Sequence, residues 1–86
     1  INMIPRSELS STHYCLADEG KAYLIYFPEG GEAKINLTGA TGEYTVEWFI
    51  PVMNRKVVSP QPLKGGRHRT MEPPVSLDAV LYLRRN

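Results

Sequence analysis

The sequence has little of what reactive or membrane-bound proteins depend on. It holds one cysteine, Cys15, among 86 residues. A lone thiol cannot close an internal disulfide, so packing alone must hold the fold. Cys15 and the two histidines, His13 and His68, do not supply the closely spaced Cys and His set of a zinc site. No cofactor motif is present. No apolar run approaches the roughly 20 residues needed to cross a bilayer as a helix, and no signal peptide is visible, so no membrane role is expected. The net charge of +1 lacks the strong basic footprint of a nucleic-acid binder. No window of useful length carries a helical period.

What is present is apolar content and punctuation. Apolar residues make up 42% of the chain, enough for one small core. Short apolar runs alternate with Gly and Pro at close intervals, the pattern of an all-β sandwich or barrel. The chain opens Ile1-Asn2-Met3, which reads as a piece of a larger protein with any targeting signal upstream. Residues 1–11, with Pro5 and several serines, read as an entry strap or linker, and residues 12–86 as the domain.

Seven strands are expected within that domain. The first covers His13 to Leu16 and ends at Asp18-Glu19-Gly20. The second runs from Lys21 to Phe27, with Gly30-Gly31 expected to close a tight hairpin. The third, Glu32 to Thr38, alternates Ala33, Ile35 and Leu37 against Lys34, Asn36 and Thr38, so one face is wet. The fourth, Glu43 to Ile50, puts Tyr44, Val46, Trp48 and Ile50 on one face and stops at Pro51. Shorter strands are expected at Lys56 to Ser59 and Arg67 to Met71, with an edge or loop around Pro60 and Pro62. The last runs from Asp78 to Arg84. Together they fit a two-sheet antiparallel β-sandwich.

Three of these strands are apolar on both sides. Opposite Tyr23, Ile25 and Phe27 stand Leu24 and Tyr26. Phe49 lies opposite the Trp48 face, and Val80 and Tyr82 lie opposite Leu81. A sandwich strand has one inner face. The second face, made of Leu24, Tyr26, Phe49, Val80 and Tyr82, is therefore expected to meet a neighbouring domain or a ligand, unless it merely decorates a wet surface. Tyr26, Phe49 and Tyr82 are candidates for stacking on sugar rings. Trp48 joins them if the face assignment is inverted.

Catalytic patterns are weak. The carboxylates sit mostly at turns and strand edges, and no spacing sets up the facing pair of a glycosidase. His13 and Cys15 would share one side of a strand, but no third orienting residue is identifiable, and a lone strand cysteine is usually a small buried apolar residue. Arg67-His68-Arg69 and Arg84-Arg85 read as solvated edges that discourage strand-to-strand aggregation. Asn36-Leu37-Thr38 matches a glycosylation sequon, relevant only in a eukaryotic secretory setting.

Three stretches carry a family resemblance: Cys15 to Gly31, Tyr44 to Pro51, and Asp78 to Leu83. In order and spacing they resemble the small C-terminal β-sandwich domain that follows a (β/α)8 barrel in bacterial glycoside-hydrolase-like proteins. One branch of that family carries the name "Putative collagen-binding domain". The shared motifs are a tyrosine-rich strand ending in Pro-x-Gly-Gly and a strand ending in Trp-Phe-x-Pro. The resemblance implies a non-catalytic accessory domain whose partner is an upstream catalytic-type barrel of the same chain, with polysaccharide or collagen as a further partner. It implies no catalytic, metal or cofactor residue here, and an extracellular or periplasmic setting in a bacterium. After Pro51 the family has a short polar turn containing Gly. Here Val52-Met53-Asn54-Arg55 stands in its place, and Asn54 is expected to adopt the left-handed conformation that Gly would take.

Overall fold

A computed structural model describes residues 2–86, so Ile1, the first residue of the expected strap, lies outside the described residues. Nine strands are present among them: β1 (Ile4–Pro5), β2 (Cys15–Asp18), β3 (Ala22–Phe27), β4 (Ala33–Asn36), β5 (Glu43–Ile50), β6 (Arg55–Val58), β7 (Leu63–Lys64), β8 (His68–Met71) and β9 (Ala79–Arg85). They form two antiparallel sheets, as expected of a sandwich. The large sheet runs β1-β2-β3-β9-β5-β6, with β7 pairing beside β6 on β5, and the small sheet is β4-β8.

The core follows from the period of two in the strands. Tyr23, Ile25 and Phe27 of β3 are buried, as are Tyr44, Val46, Trp48 and Ile50 of β5 and Ala79, Leu81 and Leu83 of β9. Strand register sets these side chains in rows. Cys15 faces Ile25, Ile25 faces Leu81, and Leu81 faces Trp48. The small sheet and its flanks cover this face with Ala33, Ile35, Leu37 and Ala40. Phe27 and Trp48 meet edge to face with ring centroids 5.2 Å apart. Full burial of each large side chain contributes about 1.5–3 kcal/mol, which is what a disulfide-free domain must rely on.

The strap is held to both sheets. Ile4–Pro5 pairs with β2. Leu9 enters the core, and Ser10 bridges to Ile35 of the small sheet. The Arg6 guanidinium bonds Glu8 at 2.8 Å and Glu19 at 2.7 Å, holding the Glu8 carboxyl below the usual carboxylate range.

Two local expectations are corrected. Gly30-Gly31 does not close a hairpin: β3 belongs to the large sheet and β4 to the small one. Both glycines have positive φ, and the bend they make carries the chain across the sandwich. The first strand starts later than expected, at Cys15, because His13 has φ 64 and leaves the strand path. His13 and Cys15 therefore do not share one strand face. Asn54 does take the left-handed conformation, with φ 47 and ψ 46, ending a short 3-10 turn over Pro51–Met53.

Candidate functional site

The face of the large sheet that points away from the small sheet carries all five residues singled out from the sequence. Register places them in two adjacent rows. In one, Leu16 faces Leu24, Leu24 faces Tyr82, and Tyr82 faces Glu47. In the other, Tyr26 faces Val80 and Val80 faces Phe49, with Lys56 closing the row. Tyr26 is 37% exposed and Phe49 40%, whereas their chain neighbours Phe27 and Trp48 are 1% and 6% exposed. Leu24, Val80 and Tyr82 are half-buried by one another. Trp48 faces the interior, so the face assignment is not inverted and the indole is withheld from any ligand.

Two residues that sequence reasoning did not assign to this face belong to it. Leu16 extends the first row, and Tyr14 meets Tyr26 edge to face at 5.9 Å. Alternation about Cys15 carried the signal for both. Buried Cys15 fixes the inner side of β2, so its chain neighbours fall on the outer side. With Pro5 of the strap they border a shallow groove of about 350 Å³ that also reaches Leu24, Tyr26 and Val80. The Tyr26 hydroxyl reaches Asp78 Oδ2 at 3.4 Å, and its phenol is raised above the ordinary tyrosine range by desolvation and then by that carboxylate.

The chemistry available on this face is apolar contact, aromatic stacking and a few polar edges. Cys15 sits beneath it and is 5% exposed. Burial pushes its thiol up to about 11, so it is protonated at neutral pH and acts as a small apolar side chain.

A second groove, of about 300 Å³, lies on the other side of His13, between the strap and the small sheet. Lys34, Asn36 and His68 form its floor, and Ser11 and Glu8 its wall. Asn36 Oδ1 accepts from the Thr38 backbone N–H at 3.0 Å and from Thr38 Oγ1 at 2.7 Å, which fixes the direction of the amide.

The family model described as "Putative collagen-binding domain of a collagenase" matches residues 1–83. The chain belongs to that family. The family description names a binding domain. No curated protein matches the sequence. Among solved structures, a chain titled "Glycoside hydrolase" superposes with a TM-score of 0.75 at 9% identity. The match covers 98% of this chain and 21% of that one. At that identity the likeness concerns the fold: this family member has the shape of about one fifth of a larger protein.

Proposed function

We propose that this collagen-binding-family domain is a non-catalytic accessory module that packs through the outer face of its large sheet against an upstream glycoside-hydrolase-like (β/α)8 barrel. In that position it buttresses the barrel and helps place its substrate. The observation that carries the reading is the pair of registered apolar rows containing Leu24, Tyr26, Phe49, Val80 and Tyr82. A wet sheet face alternates apolar-in and polar-out. Three neighbouring strands that break this rule together call for a cover, because a contiguous apolar patch left in water favours association. The glycoside hydrolase of matching fold supports the reading by being long enough to include such a partner.

Hydroxyl-radical footprinting tests it. Tyr26, Phe49 and Tyr82 should label readily in the 86-residue chain and become protected in the full-length protein. Equal labelling in both overturns the barrel contact.

A second reading, an independent module for carbohydrate or collagen, is favoured by the Tyr14–Tyr26 pair beside the groove and by the family description. Retention of the monomeric chain on collagen or polysaccharide, lost in Tyr26→Ala, would establish it. Secretion to the cell exterior or the periplasm of a bacterium is part of either reading, and the family description of a collagenase's binding domain supports it.

A further inference from the structure

The groove between the strap and the small sheet is lined mainly by side chains able to donate hydrogen bonds. Lys34 and Asn36 of β4 lie on the outward face of the small sheet, and Asn36 is registered with His68 of β8. The Asn36 carbonyl oxygen is occupied by Thr38, so its amide N–H2 is turned away from Thr38 and remains free to donate. Ser11 Oγ already accepts from the Lys34 backbone N–H at 2.9 Å, leaving its hydroxyl hydrogen to donate. The one carboxylate in the wall, Glu8, is ion-paired to Arg6 at 2.8 Å. Among the described residues Lys34 has no ion-pair partner. The remaining lining is Leu9, Ser10, whose hydroxyl is engaged by Thr12, and the imidazoles of His13 and His68, each of which carries an N–H in any protonation state.

His13 joins the two grooves. It and Asn54 are the non-glycine residues with positive φ among the described residues. Asn54 ends a 3-10 turn, a place where that conformation is common. His13 likewise closes a turn, its N–H bonding the Ser10 carbonyl at 3.0 Å, and that turn sets it on the ridge between the two grooves, where it lines both.

We propose that this groove binds the anionic sugar of an acidic polysaccharide, a uronate or a sulfated residue. Lys34 takes the carboxylate or sulfate in a charge-assisted contact. Asn36, Ser11 and the two imidazoles donate to the sugar oxygens. A volume of about 300 Å³ is of the size of a small-ligand pocket. A saccharide is favoured over an acidic peptide because an aromatic pair, Tyr14 and Tyr26, stands across the His13 ridge. There the apolar face of the next sugar could stack, whereas an Asp or Glu side chain uses only the charged contact. The charged groove itself contains none of the residues assigned to the barrel contact. The stacking position alone shares Tyr26 with that face, so the effect of Lys34→Gln on saccharide binding and the protection of Tyr26 by the barrel are separate outcomes.

The test is titration calorimetry of the 86-residue chain with galacturonate oligomers, a sulfated galactan oligomer, a neutral galactan oligomer and polyglutamate. Binding of one or both acidic saccharides, at least tenfold tighter than the neutral one and than polyglutamate, is expected. Lys34→Gln should weaken it at least tenfold, while Lys64→Gln, on β7 and away from the groove, should leave it within twofold. The unfolding midpoint of both variants should match the parent, since both lysines are exposed. Equal loss in the two variants would mean diffuse attraction to positive charge and would overturn the site. Equal binding of polyglutamate would overturn the saccharide assignment, and no binding of either acidic oligomer would overturn both.

Discussion

Tyr23 and Tyr44 grip the same residue from opposite sides. The Gly20 N–H donates to the Tyr23 hydroxyl at 2.9 Å, and the Tyr44 hydroxyl donates to the Gly20 carbonyl at 3.0 Å. The two rings meet edge to face at 5.9 Å, and neither side chain is exposed. Together they tie the β2–β3 turn to β5, two strands away in the large sheet.

Removing either hydroxyl should therefore cost more than a surface hydrogen bond. Tyr23→Phe leaves the Gly20 N–H without its acceptor, and Tyr44→Phe leaves the carbonyl without its donor. Each should lower stability by about 1–3 kcal/mol, the range for a part-buried polar group stripped of its partner. Urea denaturation of the two single variants and the double variant measures this. Because both bonds hold one residue, the double variant should lose less than the sum. Strict additivity would show that Gly20 is held independently by the two rings.

The opposite faces of β3 give a sharper contrast. Phe27 packs on Trp48 in the core, whereas Tyr26 touches Tyr14 on the outer face. Phe27→Ala should cost about 3–5 kcal/mol, which in a domain of this size removes much of the folded population. Tyr26→Ala should cost roughly 1 kcal/mol, mostly the lost aromatic pair. Denaturation midpoints of the isolated chain report both. Similar losses at the two positions would mean that the outer face is part of a core.

How much of this could be read from residues alone depends on the range of the interaction. The faces of β3, β5 and β9 follow from local alternation, so Tyr23, Trp48 and Leu81 were assignable to the interior and Leu24, Phe49 and Val80 to the outside. The strand ends at Phe27 and Ile50 were marked by the prolines that follow. Sheet membership was not local. Gly30-Gly31 suits a hairpin and a crossing equally, and the choice depends on β4 finding β8 some thirty residues on. The two-residue strands β1 and β7 have no period to detect. The donor-rich groove was invisible for the same reason: its floor comes from β4 and β8, and its wall from the strap.

Gly65 illustrates a demand that only the folded structure reveals. A Cβ at Gly65 would stand 1.9 Å from the Ala40 carbonyl oxygen, a backbone atom that cannot swing away. Its N–H meanwhile bonds the Gly42 carbonyl at 2.9 Å, so the close approach is fixed by pairing. Gly65→Ala should lower stability by about 3 kcal/mol or more, or prevent folding. Gly66 has φ 90 but open space around it, so Gly66→Ala should cost about 1–2 kcal/mol from backbone strain alone. Thermal unfolding of the two variants ranks them. A milder effect at Gly65 than at Gly66 would mean the Ala40 loop yields easily.

Alkaline pH should weaken the fold through groups whose ionised forms the interior rejects. Desolvation raises Cys15 from 9.0 to about 11 and raises the Tyr23 and Tyr44 phenols above their ordinary value as well. The folded state thus holds these protons more tightly than the unfolded chain does. As pH climbs past 9 the unfolded chain releases its thiol proton first, and stability falls with rising pH. The thiol's contribution is complete below pH 9 and gone once pH passes about 11. Cys15→Ala should show a lower urea midpoint at pH 7 from lost packing, and a shallower decline between pH 9 and 11 than the parent. The tyrosines still decline in both proteins, so the difference between the two curves isolates the thiol. Parallel curves across that window would mean that Cys15 ionises as freely in the folded domain as in the open chain, and that the inner side of β2 is wet.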